Sequence, residues 1–308
     1  MSGEKHLGKT IKNQLKSEDT SLPFKDILFI GLSQGCIYGL VAIGFVLIYK
    51  STEMINFAQG ELSILGAYLG IQWVDTFGSF WLSIPLMILL MFILGYLLDR
   101  LLIRPLLGHP PFSVIILTIA LGLVMKAIIG VVWGYEPRGL ATPYAGKSTL
   151  WGMTIDHNQL VLMATTICLC LGLWAFFKFS KWGLAMRAAS QNQLAAFYVG
   201  IPVRRLYSIS WALGAVVGAI GGLLLSTTTM VDPHSGLIGL KAFAAAVIGG
   251  LGSLWGAMAG GLIVGVSEQL AGAYLPPGSQ SSMAYILMIL VLVTRPHGLI
   301  QQVQLKKV

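Results

Sequence analysis

The stretch that most resembles a phosphate-holding loop is Ala145-Gly146-Lys147-Ser148-Thr149. A complete loop of that kind needs a glycine five residues before Gly146, where Ala141 stands, and a strand leading into it. Nucleotide binding is therefore rejected, and any ATP energy must come from a partner chain. The other candidates are polar residues set inside apolar runs. Asn56, Gln59 and Glu61 cluster together, Gln34 and Tyr38 lie one helical turn apart, and Glu268 and Gln269 stand in a glycine-rich run. Such residues are costly in lipid and are functional hypotheses by default. They read as the lining of a translocation path, or else as interhelical clamps worth about 0.6–2 kcal/mol each. For Asn56 and Glu61 both readings stay open. Glu268 is read as a clamp or helix-end cap, and so few buried carboxylates weigh against proton coupling.

The cations gather elsewhere. Lys178, Lys181, Arg187, Arg204 and Arg205 share residues 178–205 with no Asp or Glu. Within that segment Gln193–Val199 can form a short helix presenting Leu194, Ala195 and Phe197, which Gly200 ends and Pro202 prevents from continuing. Such a helix suits a groove on a partner protein. It equally suits a lipid surface, with Lys181 and Arg187 reaching anionic headgroups. Residue types alone do not separate the two.

The elements that must position these groups are membrane helices. Of 308 residues, 56% are hydrophobic and 10% charged, with mean hydropathy +0.78. Soluble domains carry about 25% charged residues. Runs near the length of about 20 residues that crosses a bilayer are Ile27–Tyr49, Trp81–Leu98, Phe112–Trp133, Leu160–Phe177, Leu206–Leu225 and Leu254–Tyr274. Shorter runs are Leu62–Val74, Ala242–Leu251 and Ala284–Thr294, giving about eight or nine membrane segments. The net charge of +8 sits mainly at run ends. This is the positive-inside pattern and not a nucleic-acid footprint. It places residues 178–205, the turn at Arg100 and Arg104, and the end carrying Arg295, Lys306 and Lys307 in the cytoplasm.

Two apolar segments are expected to be broken, one at Asn56–Gly60 and one at Ala244–Ser253. A re-entrant hairpin turning near Gly249, Gly250 and Gly252 lets the chain enter, return, and cross once more to a cytoplasmic end. Non-helical backbone at that depth needs protein or a water-filled cavity around it. Gly214, Gly218 and Gly222 share one helix face, as do Gly252, Gly256 and Gly260, and both read as close-packing stripes. Cys36, Cys168 and Cys170 read as small buried hydrophobes, and the five histidines show no ligand spacing, so no metal or cofactor is expected. Residues 1–26 read as a mobile polar tail of undetermined side, 27–299 as the membrane domain and 300–308 as a second tail.

Five stretches then carry a family resemblance, in order: Met54–Glu61 (MINFAQGE), Ile103–Leu106 (IRPL), Trp182–Ile201, Lys241–Gly265 and Leu290–Leu299. Together they resemble permease subunits of branched-chain amino acid ABC importers of the LivH type. The resemblance implies an all-α polytopic bundle of the type II importer kind in a bacterial inner membrane. It also implies a second related permease, two cytoplasmic ATPases and a periplasmic binding protein. It assigns Gln191–Ile201 to the ATPase-contacting loop, with Ala195 in the coupling helix and Gly200 at its glycine, and puts MINFAQGE near the path. Arg187, Gln191, Leu194 and Phe197 are the further residues expected at that coupling surface. Branched-chain or other apolar amino acids are the expected solutes; urea, short amides or another small organic solute are the alternatives. A stand-alone channel or secondary carrier is the reading from another class. An enzyme finds no carboxylate pair, histidine cluster or activated serine to support it.

Overall fold

A computed structural model describes residues 24–106, 110–150 and 153–300. Most of the expected N-terminal tail, and Lys306 and Lys307, lie outside the described residues. Helix α1 starts at Phe24, three residues before the apolar run that opens at Ile27, and carries Asp26 in its first turn, where an acid suits the positive helix end.

Eleven α-helices are present among the described residues. They are α1 (Phe24–Thr52), α2 (Gln59–Phe77), α3 (Phe80–Leu98), α4 (Pro111–Trp133), α5 (His157–Phe179) and α6 (Lys181–Gln191). The rest are α7 (Gln193–Tyr198), α8 (Val203–Thr228), α9 (Ile238–Gly249), α10 (Leu254–Tyr274) and α11 (Ser279–Thr294). Polar side chains cap the starts of four helices, α5, α6, α7 and α10. The Asp156 side chain accepts from the Asn158 amide to start α5, and the Ser253 hydroxyl accepts from the Gly256 amide to start α10. A short antiparallel hairpin, β1 (Lys147–Leu150) with β2 (Met153–Asp156), precedes α5 and was not expected. Gly146-Lys147-Ser148 thus feeds a strand and not the helix a phosphate loop requires.

Five helices are individually long and apolar enough to cross a bilayer: α1, α3 with its continuation to Leu106, α4, α5 and α8. The 3₁₀ turn Pro233–Leu237 with α9, and then α10, make a sixth candidate, bent by 119° at their break. Adding α2 and 16-residue α11 brings the expected count to eight, and counting both arms of the bent pair brings it to nine.

Small residues bring the inner helices together. A Cβ on Gly35 would lie 2.7 Å from the Leu262 Cα, and one on Gly31 2.8 Å from the Val266 Cα, so α1 and α10 pack backbone to backbone and antiparallel. The stripe on α8 receives α1 and α2: Gly214 faces Ile48, Gly218 faces Gln59 and Gly222 faces the Ser63 carbonyl. On α10, Gly256 and Gly260 face Gly249 and Ala245 of α9, but Gly252 stands in the turn with nothing within 4 Å of an added Cβ. The neighbouring pair Gly261 and Gly265 seats α1 instead.

The most apolar stretches of α1 and α8 are 72% and 78% buried, against 17% for α5, so α1 and α8 form the core and α5 turns its apolar flank outward. Cys168 lies on that exposed flank, correcting its expected burial. Cys36 is buried and Cys170 intermediate.

The helix pairing sorts the charges into two ends. Lys50, Arg187 and Ser253 line one cavity. Arg104 bonds the Arg204 carbonyl at 3.1 Å, and the chain after Arg295 folds under the α9–α10 turn, where the Ile300 amide donates to the Gly249 carbonyl. This is the basic end. At the other, Asn158 bonds the Thr227 carbonyl and Arg138 pairs with Val231. Because α1 runs antiparallel to both α8 and α10, Phe24 begins at that other end.

Candidate functional site

At the basic end α6 starts on Ser180, whose hydroxyl accepts from the Trp182 amide, and Gly183 lets α6 fold tightly back on Phe176 and Phe177. The Asn192 side chain accepts from the Ala195 amide at 2.9 Å, ending one helix and opening the next. The short α7 buries only Ala196. Leu194, Phe197, Tyr198 and Val199 are 67–82% exposed and form one apolar knob, with Ala195 and Gln191 also exposed beside it. Gly200 turns the chain with φ +82, a left-handed conformation that disfavours a side chain. The Gly200 and Ile201 amides close the turn on the Phe197 and Ala196 carbonyls. Arg187 is exposed one helix earlier, on α6. The helix and its glycine stop were legible in the sequence; Tyr198 and Val199 as part of the knob were not singled out.

The five candidate path residues divide among three settings. Asn56 and Gln59 are fully buried in the break between α1 and α2. The Asn56 carbonyl oxygen accepts from the Ala58 amide, and its amide nitrogen lies 3.4 Å from the Gln59 Oε1. The Gln59 Nε2 donates to the Gly214 carbonyl at 2.9 Å, with Gly44 and Gly218 leaving room for the side chain. Glu61 points elsewhere, between Gly122 of α4 and Gly236. Gln34 and Tyr38 belong to a third group, described next.

The Tyr38 hydroxyl donates to the Glu268 Oε2 at 2.6 Å, and the Lys241 Nζ stands 2.9 Å from the other carboxylate oxygen. Gln34 neighbours the same hydroxyl. This triad ties α1, α9 and α10 together half-way along α1, and it places a cation on the re-entrant helix. Lys241 was missed as a site residue. The signal available was a lone Lys opening one apolar segment and a lone Glu in the next, each needing a partner in lipid. The Glu268 clamp itself was legible; its partners were not.

Of the hairpin glycines, Gly249 abuts the Gly256 carbonyl, and Gly250 takes φ +103 beneath the His297 and Ile300 carbonyls. Among the described residues no group of three His, Cys, Asp or Glu could hold a metal.

A helical bundle with inward glycine seams, outward apolar flanks, a sharply bent helix pair and an exposed apolar knob defines a multi-pass membrane protein. Residues 27–293 match the family described as branched-chain amino acid transport system / permease component, and the chain belongs to that family. It is 30% identical to the high-affinity branched-chain amino acid transport system permease protein LivH of Salmonella typhimurium, covering 93% of this chain and 98% of that one. It is 31% identical to BraD of Pseudomonas aeruginosa over 90% and 96% of the two chains. It is also 32% identical to the probable branched-chain amino acid transport permease protein LivH of Methanocaldococcus jannaschii over 84% and 87% of the two chains.

Proposed function

We propose that this chain is one membrane half of an ATP-driven importer for branched-chain or other apolar amino acids, and that α7 is where it meets a separate ATPase. Carrying this reading is the knob of Leu194, Phe197, Tyr198 and Val199, an apolar surface on a well-capped helix in a permease of this family. An exposed cluster of that kind marks a surface that a protein partner or lipid covers, and membership of this permease family favours the protein partner. The solute class rests on the relatives, which are named for branched-chain amino acid transport.

By linkage, ATP moves the membrane helices only if the nucleotide-bound partner favours one arrangement of α7 over another. The rigid turn at Gly200 passes that preference straight into α8, whose glycine stripe carries α1 and α2. A second permease chain completes the path, a periplasmic binding protein delivers the solute, and residues 178–205 lie in the cytoplasm by the positive-inside rule. Asn56, Gln59, Glu61, Gln34 and Tyr38 are carried forward as residues whose packing shapes that path.

The test is uptake by proteoliposomes holding the whole assembly, with Phe197→Asp against the unaltered chain. Phe197 is 67% exposed, so insertion and folding are spared. Losing a central docking aromatic costs about 2 kcal/mol or more, so ATP-driven uptake should fall more than about tenfold. Unchanged uptake would remove α7 from the coupling surface.

A further inference from the structure

At the basic end a cavity of about 130 Å³ opens between α1, α5, α6 and the start of α10. Its walls are amphipathic. Leu173, Trp174, Phe177, Leu254 and Trp255 supply an apolar slot, while Lys50 and Arg187 bring two cations to it. No lining residue is acidic. Lys50 and Arg187 are close enough to repel each other, and the two ion pairs found among the described residues lie elsewhere.

An aromatic face holds one of these cations: the Lys50 Nζ stands 5.8 Å from the Phe177 ring centre. Beside the cavity, Lys178 stacks 4.6 Å from the ring of Trp174, a lining residue. The α10 helix begins here, so its positive end adds to the field of the two side chains. Two like charges are relieved by an anion, and an anion that also carries an apolar body fits both the cations and the aromatic wall of this cavity.

We propose that this cavity binds one anionic phospholipid from the leaflet at the basic end. Its phosphate lies between Lys50 and Arg187 and one acyl chain runs along Trp174 and Trp255. The bilayer supplies this ligand at the depth where α1 and α5 end. Free phosphate has no use for the aromatic wall, and a zwitterionic headgroup brings no net charge to offset the cations. The occupant joins α1, α5 and α10 to α6, the helix that leads into α7.

Native mass spectrometry of the full chain, released from detergent with equal amounts of phosphatidylglycerol and phosphatidylcholine, tests this. The chain should retain one phosphatidylglycerol in preference to phosphatidylcholine by about thirtyfold, the scale expected of two surface cations. Lys50→Gln and Arg187→Gln should each remove most of that preference. Arg295→Gln, at the same end but outside the cavity, should keep it. If Lys50→Gln does not fold, exposed Arg187→Gln still decides. Equal retention of both lipids, equal loss in Arg295→Gln, or displacement by glycerol 3-phosphate or inorganic phosphate would each overturn the proposal.

Discussion

At the residue scale the most consequential contact is the ion pair between Lys241 and Glu268, backed by Tyr38. The Glu268 side chain is 2% exposed and the Lys241 side chain 24%, so the two are not equivalent. Lys241→Met strands a carboxylate with only Tyr38 to bond it, whereas Glu268→Leu leaves a partly exposed ammonium on a flexible stem that can swing away from the apolar packing. Breaking a buried pair by removing one partner costs about 3–5 kcal/mol, while replacing both by apolar groups is often nearly neutral. Thermal unfolding in detergent should therefore rank Lys241→Met below Glu268→Leu, with the double variant above Lys241→Met. Additive losses would mean that the pair contributes no coupling. Tyr38→Phe should lose about 1.5–3 kcal/mol, the range for a hydrogen bond to a charged group. Individual polar residues were visible in the sequence because lipid tolerates so few. Their partners were not, because Tyr38 and Glu268 are 230 positions apart.

Helices and turns were largely legible, since apolar length and capping residues are local properties. Leu254–Tyr274 is the clearest case, an apolar run that coincides with its helix. The glycine stripes were legible as faces but not as partners. Gly252 fitted the spacing of Gly256 and Gly260 yet stands in a turn, while Gly261 and Gly265, which seat α1, are a separate pair. The consequence is a contrast between neighbours. Gly249→Ala drives a methyl into the Gly256 carbonyl and should lower the unfolding temperature, while Gly252→Ala meets open space and should leave it unchanged. At the loop, Gly200→Asp also meets open space but must adopt φ +82 and places a charge beside the knob. The backbone term is about 1–2 kcal/mol and confined to the loop. The chain should insert normally while ATPase retention on the purified permease falls. Normal retention would detach Gly200 from coupling.

Across the whole molecule, which helix ends lie together comes from pairing and not from composition. The charges of residues 1–26 nearly cancel, so they cannot fix a side. Antiparallel packing of α1 against α8 and α10 nevertheless sets Phe24 at the end opposite Arg204 and Arg205. In sealed inner-membrane vesicles of known orientation, an impermeant maleimide should label an added cysteine at Lys25 and one at Arg204 from opposite faces. Labelling of both from one face would refute the pairing. The importer reading makes the larger claim, that this bundle works only as part of an assembly. Mild-detergent purification of the tagged full-length chain from its native membrane, with every retained protein identified and counted, tests it most directly. A second permease and two ATPase subunits should be retained, the latter lost in Phe197→Asp. A transport-competent oligomer of this chain alone, with no ATPase retained, would refute the importer assembly.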